Sequence, residues 1–517
     1  MCGIIALFSE KKLENTYQND FRESLKLLST RGPDDLKYII SGKNHYGFTR
    51  LSINDTSING MQPFRDDKDG VLLCNGEIYN HKELEKKYDI KIENTTSDCA
   101  CLLPLYRKIG FNQMISELDG VFAIILFDND KIHIGRDRVG VRPVFRSKID
   151  TISSNFIIFA SEAKCLDKFG GLIEQVSPGA TVYDINDQYT PYPTPIPYKD
   201  INVNVEDMND IFANIRRLLT QAVNKRLLSD RPIGCLLSGG LDSSIITSIL
   251  CKLLGNKNVR TYSIGMKGSP DLKNAKIVAD YLGTNHSEIV FSSTEGISKI
   301  KEVIYGIESA DITTVRASVP MYMLSQYISK NTDDKVIFSG EGADEILCGY
   351  LYFHKAPSSY DLEKESVRLV NSLRYYDVLR ADRCVSGSGL EIRVPFLDRE
   401  FLDYCINLPG EIKGPMFKME KYILRKAFEK YLPSSIVWRR KDGLSDGVSE
   451  FDKPWYSYIQ EYAKEQVQYD SSKFISVEAQ YYQEIFEKSF SNYRPNIPYW
   501  MHKWVETNNP SNREIEI

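Results

Sequence analysis

At 517 residues the chain exceeds what one hydrophobic core organises, so two or three domains are expected. Hydrophobic residues at 42% and charged residues at 26% are ordinary soluble-globular composition, and a net charge of −5 offers no basic excess for nucleic-acid phosphates. No apolar run approaches the roughly 18–20 residues that cross a bilayer, and no cationic-then-apolar leader opens the chain, so no membrane or nucleic acid is expected and the cytoplasm is the expected compartment.

The ten cysteines are scattered, and Cys74, Cys235, Cys251 and Cys405 sit in apolar runs, as reduced buried thiols do. Cys99 and Cys101 are too isolated for a zinc site and the six histidines do not cluster, so acid–base chemistry must use other residues.

The chain opens Met1-Cys2-Gly3-Ile4-Ile5-Ala6. A small second residue favours removal of Met1, which would leave Cys2 with a free α-amine of ordinary pKa about 7.7–8.0. Nucleophile and base would then share one residue. Three polar motifs follow strand-like runs: Arg31-Gly32-Pro33-Asp34, Arg50-Leu51-Ser52-Ile53-Asn54-Asp55 and Asn75-Gly76-Glu77-Ile78-Tyr79-Asn80, with Ser97-Asp98 beyond them. Helices are expected near Asp20–Leu28 and Lys82–Tyr88, and Val121–Phe127 with Ile132–Gly135 reads as a β-hairpin over Asp128-Asn129-Asp130. Short strands to about Val182 predict an α+β domain with stacked sheets. Pro104 falls inside an expected helix from Asp98 to Lys108, where only the first turn or a kink accommodates it.

These motifs, with Leu118-Asp119-Gly120, Arg136-Asp137-Arg138-Val139-Gly140 and Ala160-Ser161-Glu162-Ala163-Lys164, resemble the N-terminal-cysteine glutamine amidotransferases over residues 1–185. The resemblance implies an N-terminal nucleophile fold of four layers, αββα. It implies Cys2 as nucleophile, with the Asn75 side-chain amide and the Gly76 N–H as oxyanion donors. Arg50 would take the α-carboxylate of glutamine, Glu77 and Asp98 its ammonium, and Leu51, Ser52, Ile53 and Asn54 would complete the pocket. Ala100 stands where the family usually carries an acid.

Residues 186–204 are rich in proline and tyrosine, which excludes helix and predicts an extended connector. A helix over Val205–Leu228 then leads to the strand-like run Ile233–Leu237. Ser238-Gly239-Gly240-Leu241-Asp242-Ser243-Ser244 follows, and Ile245, Ile246, Ile249, Leu250 and Leu253 recur at helical spacing until Gly255. Strand, glycine turn and helix aim backbone N–H groups and the positive end of a helix dipole at one point, where a phosphate sits well. The loop lacks the Gly-Lys-Ser/Thr ending of a Walker A motif.

Strands near Val259–Ile264, Glu288–Phe291 and Val336–Phe338 alternate with helices ending at Leu282 and spanning Thr294–Ile307 and Ser318–Ser329. That alternation predicts a parallel sheet with ligands at the carboxyl ends of its strands. The last strand delivers Ser339-Gly340-Glu341-Gly342-Ala343-Asp344-Glu345.

The Ser-Gly-Gly-x-Asp-Ser loop resembles the pyrophosphate loop of enzymes that split ATP between its α and β phosphates. Gly268-Ser269-Pro270-Asp271-Leu272, Tyr350-Leu351-Tyr352-Phe353-His354-Lys355, Arg393-Val394-Pro395-Phe396-Leu397-Asp398 and Trp438-Arg439-Arg440-Lys441 narrow the likeness to glutamine-hydrolysing asparagine synthetases. The resemblance implies ATP-dependent amidation of the aspartate side chain through a β-aspartyl-adenylate, with ammonia from glutamine carried between the domains in a protected channel. The same two domains acting on another carboxylate remain an alternative, as does a non-catalytic metabolite-binding protein; neither Cys2 nor Asp98, Asp242 or Glu341 is lost.

Within residues 205–506, Leu236, Ile264, Ser339 and Gly340 would line the adenosine pocket, and Ser238, Gly239, Gly240 and Ser243 the phosphates. Asp242 and Asp344 would hold Mg²⁺, Glu341 would deprotonate the attacking ammonia, and Arg380 and Lys441 would stabilise phosphate charge. Family members often form homodimers. Cys348 replaces a usual glycine, His286-Ser287-Glu288 a usual His-His-Glu, and the polar segment 507–517 is expected to fray.

Overall fold

A computed structural model describes residues 1–151, 155–184, 188–192, 207–511, 513 and 515. The first half is two six-stranded antiparallel sheets. Gly3–Ser9 lies inside the first sheet, paired with Asn44–Arg50 on one side and Asn155–Ala160 on the other. Alternation along this strand explains the layering. Ile4, Ala6 and Phe8 face the second sheet and meet Val71, Leu73, Ala123, Ile125 and Ile134. Ile5 and Leu7 face outward, against Phe21 and Leu25 of the helix Asn15–Leu27. The second sheet repeats the arrangement, with Leu72 and Cys74 outward beneath the helices Leu102–Ile109 and Phe111–Glu117. Helix, sheet, sheet and helix make the four layers expected.

Local chemistry sets the connections. The hairpin Gly120–Asp128/Lys131–Arg136 turns through Asn129 and Asp130, both at positive φ (49° and 56°), which suits the right-handed twist of the two strands. Pro104 is the third residue of its helix, where no intrahelical N–H bond is lost.

The second half holds a five-stranded parallel sheet. Its strands, from edge to edge, are Asn285–Val290, Arg260–Gly265, Ile233–Leu236, Val336–Phe338 and Glu391–Arg393. Sequence order runs outward from Ile233–Leu236 in one direction, then returns to its other side. Right-handed crossovers therefore put helices on opposite faces and open a crevice at the carboxyl ends of the two central strands.

Two expectations need correction. Tyr189–Tyr192 is not a free connector but an edge strand on Gly179–Tyr183, so the first domain continues past residue 185. Pro191 fits there because an edge strand has one side on which no N–H is required; the remaining connector, 185–187 and 193–206, lies outside the described residues. The segment expected to fray from Thr507 is also engaged where it is described. Asn509 accepts from Arg316 at 2.8 Å, the buried Ser511 hydroxyl donates to Asp446 at 2.7 Å, and Arg440 reaches the Ile515 carbonyl at 3.1 Å. Polar composition marks a segment as soluble but does not show whether buried partners await it.

Candidate active sites

The glutamine-side residues gather where the strand Gly3–Ser9 begins. The half-buried Cys2 thiol donates to the Leu51 carbonyl at 3.7 Å. Burial pushes this thiol up to about 11 while Met1 is present. The Met1 amine is buried too, donating to the Leu390 carbonyl at 3.1 Å, and burial lowers it to about 5. The amine that would serve Cys2 as a base is a peptide nitrogen until Met1 is removed.

Asn75 and Gly76 lie in the strand Val71–Ile78, opposite Ala123 and Phe122. A Cβ on Gly76 would stand 2.2 Å from the Val121 carbonyl oxygen, so only glycine permits this approach. The Asn75 side chain is fully buried, and its amide nitrogen and oxygen both lack a partner among the described residues. An unpaired buried amide is costly unless a ligand completes it.

Asn54 donates to both Glu77 and Asp98, the latter at 3.4 Å, and the Ile78 N–H donates to Asp98 at 2.6 Å. Burial, reinforced by the neighbouring Asp98, holds the Glu77 carboxyl well above the usual range; burial also raises Asp98, against the Ile78 N–H. Glu77 has Arg393 of the second domain 3.5 Å away. Arg50 spends its two terminal nitrogens on loop carbonyls, those of Ser57 at 2.5 Å and Asp55. The loop it braces is tied down by the Ser52 N–H to Asp34 at 2.8 Å and by the Ile53 carbonyl to the Asp230 N–H at 2.9 Å.

Beyond Ile233–Leu236, Gly239 takes φ +72° and the helix Leu241–Leu254 begins. A Cβ on Gly239 would stand 2.3 Å from the Ala275 nitrogen, so the turn needs glycine for both conformation and space. The Ser238 and Ser243 hydroxyls pair at 3.1 Å across the loop. A cavity of ≈ 200 Å³ opens at the carboxyl ends of the strands. Leu236, Ser238, Gly240, Asp242, Ser243, Ile264, Ser339, Gly340, Glu341, Asp344, Arg380 and Lys441 all line it. Gly239 lies behind the wall, its carbonyl accepting from Arg439 at 3.3 Å.

Charge in this cavity is paired. Lys421 Nζ lies 2.8 and 2.7 Å from the two Asp242 oxygens and 2.6 Å from Asp344 Oδ1. Lys441 Nζ takes Asp344 Oδ2 at 2.6 Å. Burial alone would raise Asp344, but the two lysines hold it far below the usual carboxylate range. Arg380 donates to Glu341 at 2.8 Å and to Asp377 at 2.6 Å. Burial nonetheless leaves Glu341 above its ordinary value, as suits a proton acceptor.

Two protein-family models match the chain. A glutamine amidotransferase domain covers residues 1–208, and an asparagine synthase domain covers 214–374 and 359–506. Glutamine-hydrolysing asparagine synthetase of Gallus gallus is 41% identical, over all of this chain and 99% of that protein. The Homo sapiens enzyme of the same name is 40% identical, over all of this chain and 98% of its own length. The chain belongs to the glutamine-hydrolysing asparagine synthetases.

Several groups in the site of this synthetase were not legible as site residues. Lys421 sits at positive φ (53°) before the helix Tyr422–Ala427, and nothing in its local sequence separates it from a solvated lysine. Asp377 is one turn before Arg380, a spacing that does signal a pair. Asp271, from the Gly-Ser-Pro-Asp-Leu motif, is buried against Arg439 at 3.3 Å and raised by burial to about 7. Of the departures from the family pattern, Cys348 adopts φ +53°, a conformation natural to the glycine it replaces. His286 bridges the Thr261 and Ser263 hydroxyls at 2.9 and 3.1 Å. Ala100 is buried in the turn Asp98–Cys101.

Proposed function

We propose that glutamine-dependent asparagine synthesis is divided in this chain between the residues around Cys2 and those around the Ser238–Ser243 loop. Once Met1 is removed, the Cys2 amine takes the thiol proton and the thiolate attacks the side-chain amide of glutamine. The Asn75 amide and the Gly76 N–H receive the oxyanion, a term worth roughly 3–4 kcal/mol per donor. The proton passes to the leaving nitrogen, ammonia departs, and water opens the thioester to give glutamate. Glu77, Asp98 and Asn54 hold the substrate ammonium, Arg50 its carboxylate, and Leu51–Ile53 form the wall beside the thiol.

In the second domain the aspartate side-chain carboxylate attacks the α-phosphorus of ATP, and pyrophosphate leaves into the loop and the N-terminus of the helix Leu241–Leu254. Leu236, Ile264, Ser339 and Gly340 hold the adenosine, and Arg380 and Lys441 counter charge on the transferring phosphate. Glu341 accepts the proton that ammonia sheds as it attacks the adenylate, releasing asparagine and AMP.

Asp242 and Asp344 fit a magnesium ion: both converge on one cationic atom, Lys421 Nζ, and oxygen donors are what this ion takes. When bound it supplies positive charge to the phosphate oxygens. Asp242 and Asp344 would hold the ion, and Lys421 must change partners to let them do so.

The observation that supports this reading most is the single cavity that joins the phosphate loop, Glu341, Arg380 and Lys441. The test is a carboxylate screen with Mg-ATP and glutamine, following AMP, pyrophosphate and glutamate, paired with intact mass to establish whether Met1 is gone. AMP and asparagine should rise together with aspartate alone. Cys2→Ala should lose all glutamine-driven synthesis and keep synthesis from added ammonium; retention of glutamine hydrolysis in that variant rejects Cys2 as nucleophile.

A further inference from the structure

The groups that hold Cys2 in place do not all belong to its own domain. Arg31 is fully buried and donates through Nε to the Cys2 carbonyl at 3.1 Å. The far edge of its guanidinium is taken by Asp382, on the second-domain helix Asp377–Ser386. The contact is two-pronged: Nη1 to Oδ2 at 2.8 Å and Nη2 to Oδ1 at 3.2 Å. Glu162 and the Ser386 hydroxyl accept from Nη1 alone, each at 2.9 Å.

A forked contact fixes the plane of a guanidinium, whereas a single acceptor leaves it free to tilt. With the plane fixed, so is the direction of the Nε–H, and with it the position of the Cys2 carbonyl. Neither Arg31 nor Asp382 has any exposure to water that would compete for the pair. Two residues before Asp382, Arg380 reaches Glu341 in the ATP cavity. One helix therefore touches the surroundings of both sites.

We propose that Asp382 is a positioning residue for glutamine hydrolysis: the second domain sets, through Arg31, where the Cys2 backbone and its thiol stand. The inference rests on Cys2 being the nucleophile. A thiol displaced by about 1 Å from its attack position loses on the order of 10²-fold in rate. The pocket for the charged end of glutamine, built on Asn54, Glu77 and Asp98, keeps its contacts. The effect belongs to kcat and not to KM.

The experiment uses the full chain with Asp382→Asn, which keeps shape and one acceptor oxygen but loses the charged fork. Glutamate release is measured across glutamine concentrations, and asparagine formation from ammonium chloride is measured on the same preparation. Glutamine hydrolysis should fall about 10–100-fold in kcat with KM within about threefold, while ammonia-driven synthesis stays within about threefold of the parent. Arg31→Lys keeps the buried positive charge but can neither fork onto Asp382 nor hold the Cys2 carbonyl through an Nε–H. It should lower the same kcat about 10–100-fold, and it carries the test alone if Asp382→Asn does not fold. Equal losses in both activities, or a parental kcat for glutamine hydrolysis in both variants, overturn the proposal. Cys2→Ala run alongside separates the failures. If it still hydrolyses glutamine, the nucleophile assignment falls; if it is inactive while Asp382→Asn matches the parent, only the role of Asp382 falls.

Discussion

The two pockets of this chain differ in how closely their carboxylates are matched by cations. Around Cys2, Glu77 and Asp98 share one neutral donor, Asn54, and burial raises both. In the ATP cavity Asp242, Asp344 and Glu341 each sit against a lysine or arginine. Arg393 stands 3.5 Å from Glu77 and offsets only part of the pair's charge, so the proposed ammonium of glutamine would complete a site that is unfavourable when empty. A neutralised set has to exchange partners in the proposed reaction, where phosphates would take the lysines and release the aspartates. The first arrangement favours binding of the ground state. The second leaves ground-state affinity near break-even and reserves its cations for charge that shifts during phosphoryl transfer.

The largest break expected in this comparison comes from Lys441→Ala. Removing one positioned cation should cut kcat for AMP formation about 10²–10³-fold with little change in the KM for ATP; a change in KM alone would make Lys441 a ground-state binder. Asn75→Ala should lower glutamine hydrolysis about 10²-fold in kcat, read from glutamate release, and leave ammonia-driven synthesis alone. Asp98→Asn tests the unpaired state itself. Losing one charge-assisted contact worth about 1.5–3 kcal/mol should raise the KM for glutamine roughly 10–100-fold at near-parental kcat, and an unchanged KM would place the ammonium elsewhere.

Asp271 sharpens the comparison with the smallest effect, because it is paired with Arg439 and still raised to about 7 by burial. Its unfolded value is near 3.9, so between those two pH values the native state holds a proton that the unfolded chain has lost. Stability from this group is complete below about pH 4 and is lost as pH rises toward 7, by at most about 1.4 kcal/mol per unit. Thermal midpoints at pH 5 and pH 7 should fall more in the parent than in Asp271→Asn; parallel falls would remove Asp271 as the source.

What the sequence made legible was local. Strand, Gly239 turn and helix follow from apolar spacing and glycine, and the alternation in Gly3–Ser9 gives two faces and hence stacked sheets. The hairpin over Asn129-Asp130 was readable from its turn residues. What stayed hidden depends on contacts across the chain. Lys421 acquires meaning only when Asp242, 179 residues away, comes to meet it, and Asp382 only when Arg31 does. Pro191 argues for a connector until the sheet edge it joins is known, and Asn509 and Ser511 look like solvated tail until Arg316 and Asp446 receive them. Glu77 and Asp98 entered only through the family resemblance, as acids expected to meet an ammonium, and their raised pKa values come from burial, which no spacing encodes.

The strand Glu391–Arg393 ends the parallel sheet, and its outer edge is met by the first domain: Met1 donates to the carbonyl of Leu390, just before it, and Arg142 to that of Ile392 at 3.2 Å. Open strand edges are templates for aggregation, and proteins cover them. The first domain is thus a cap as well as a source of ammonia. Residues 207–511 produced alone would carry an uncovered edge beside stranded acidic and basic side chains, and they would be the half that precipitates.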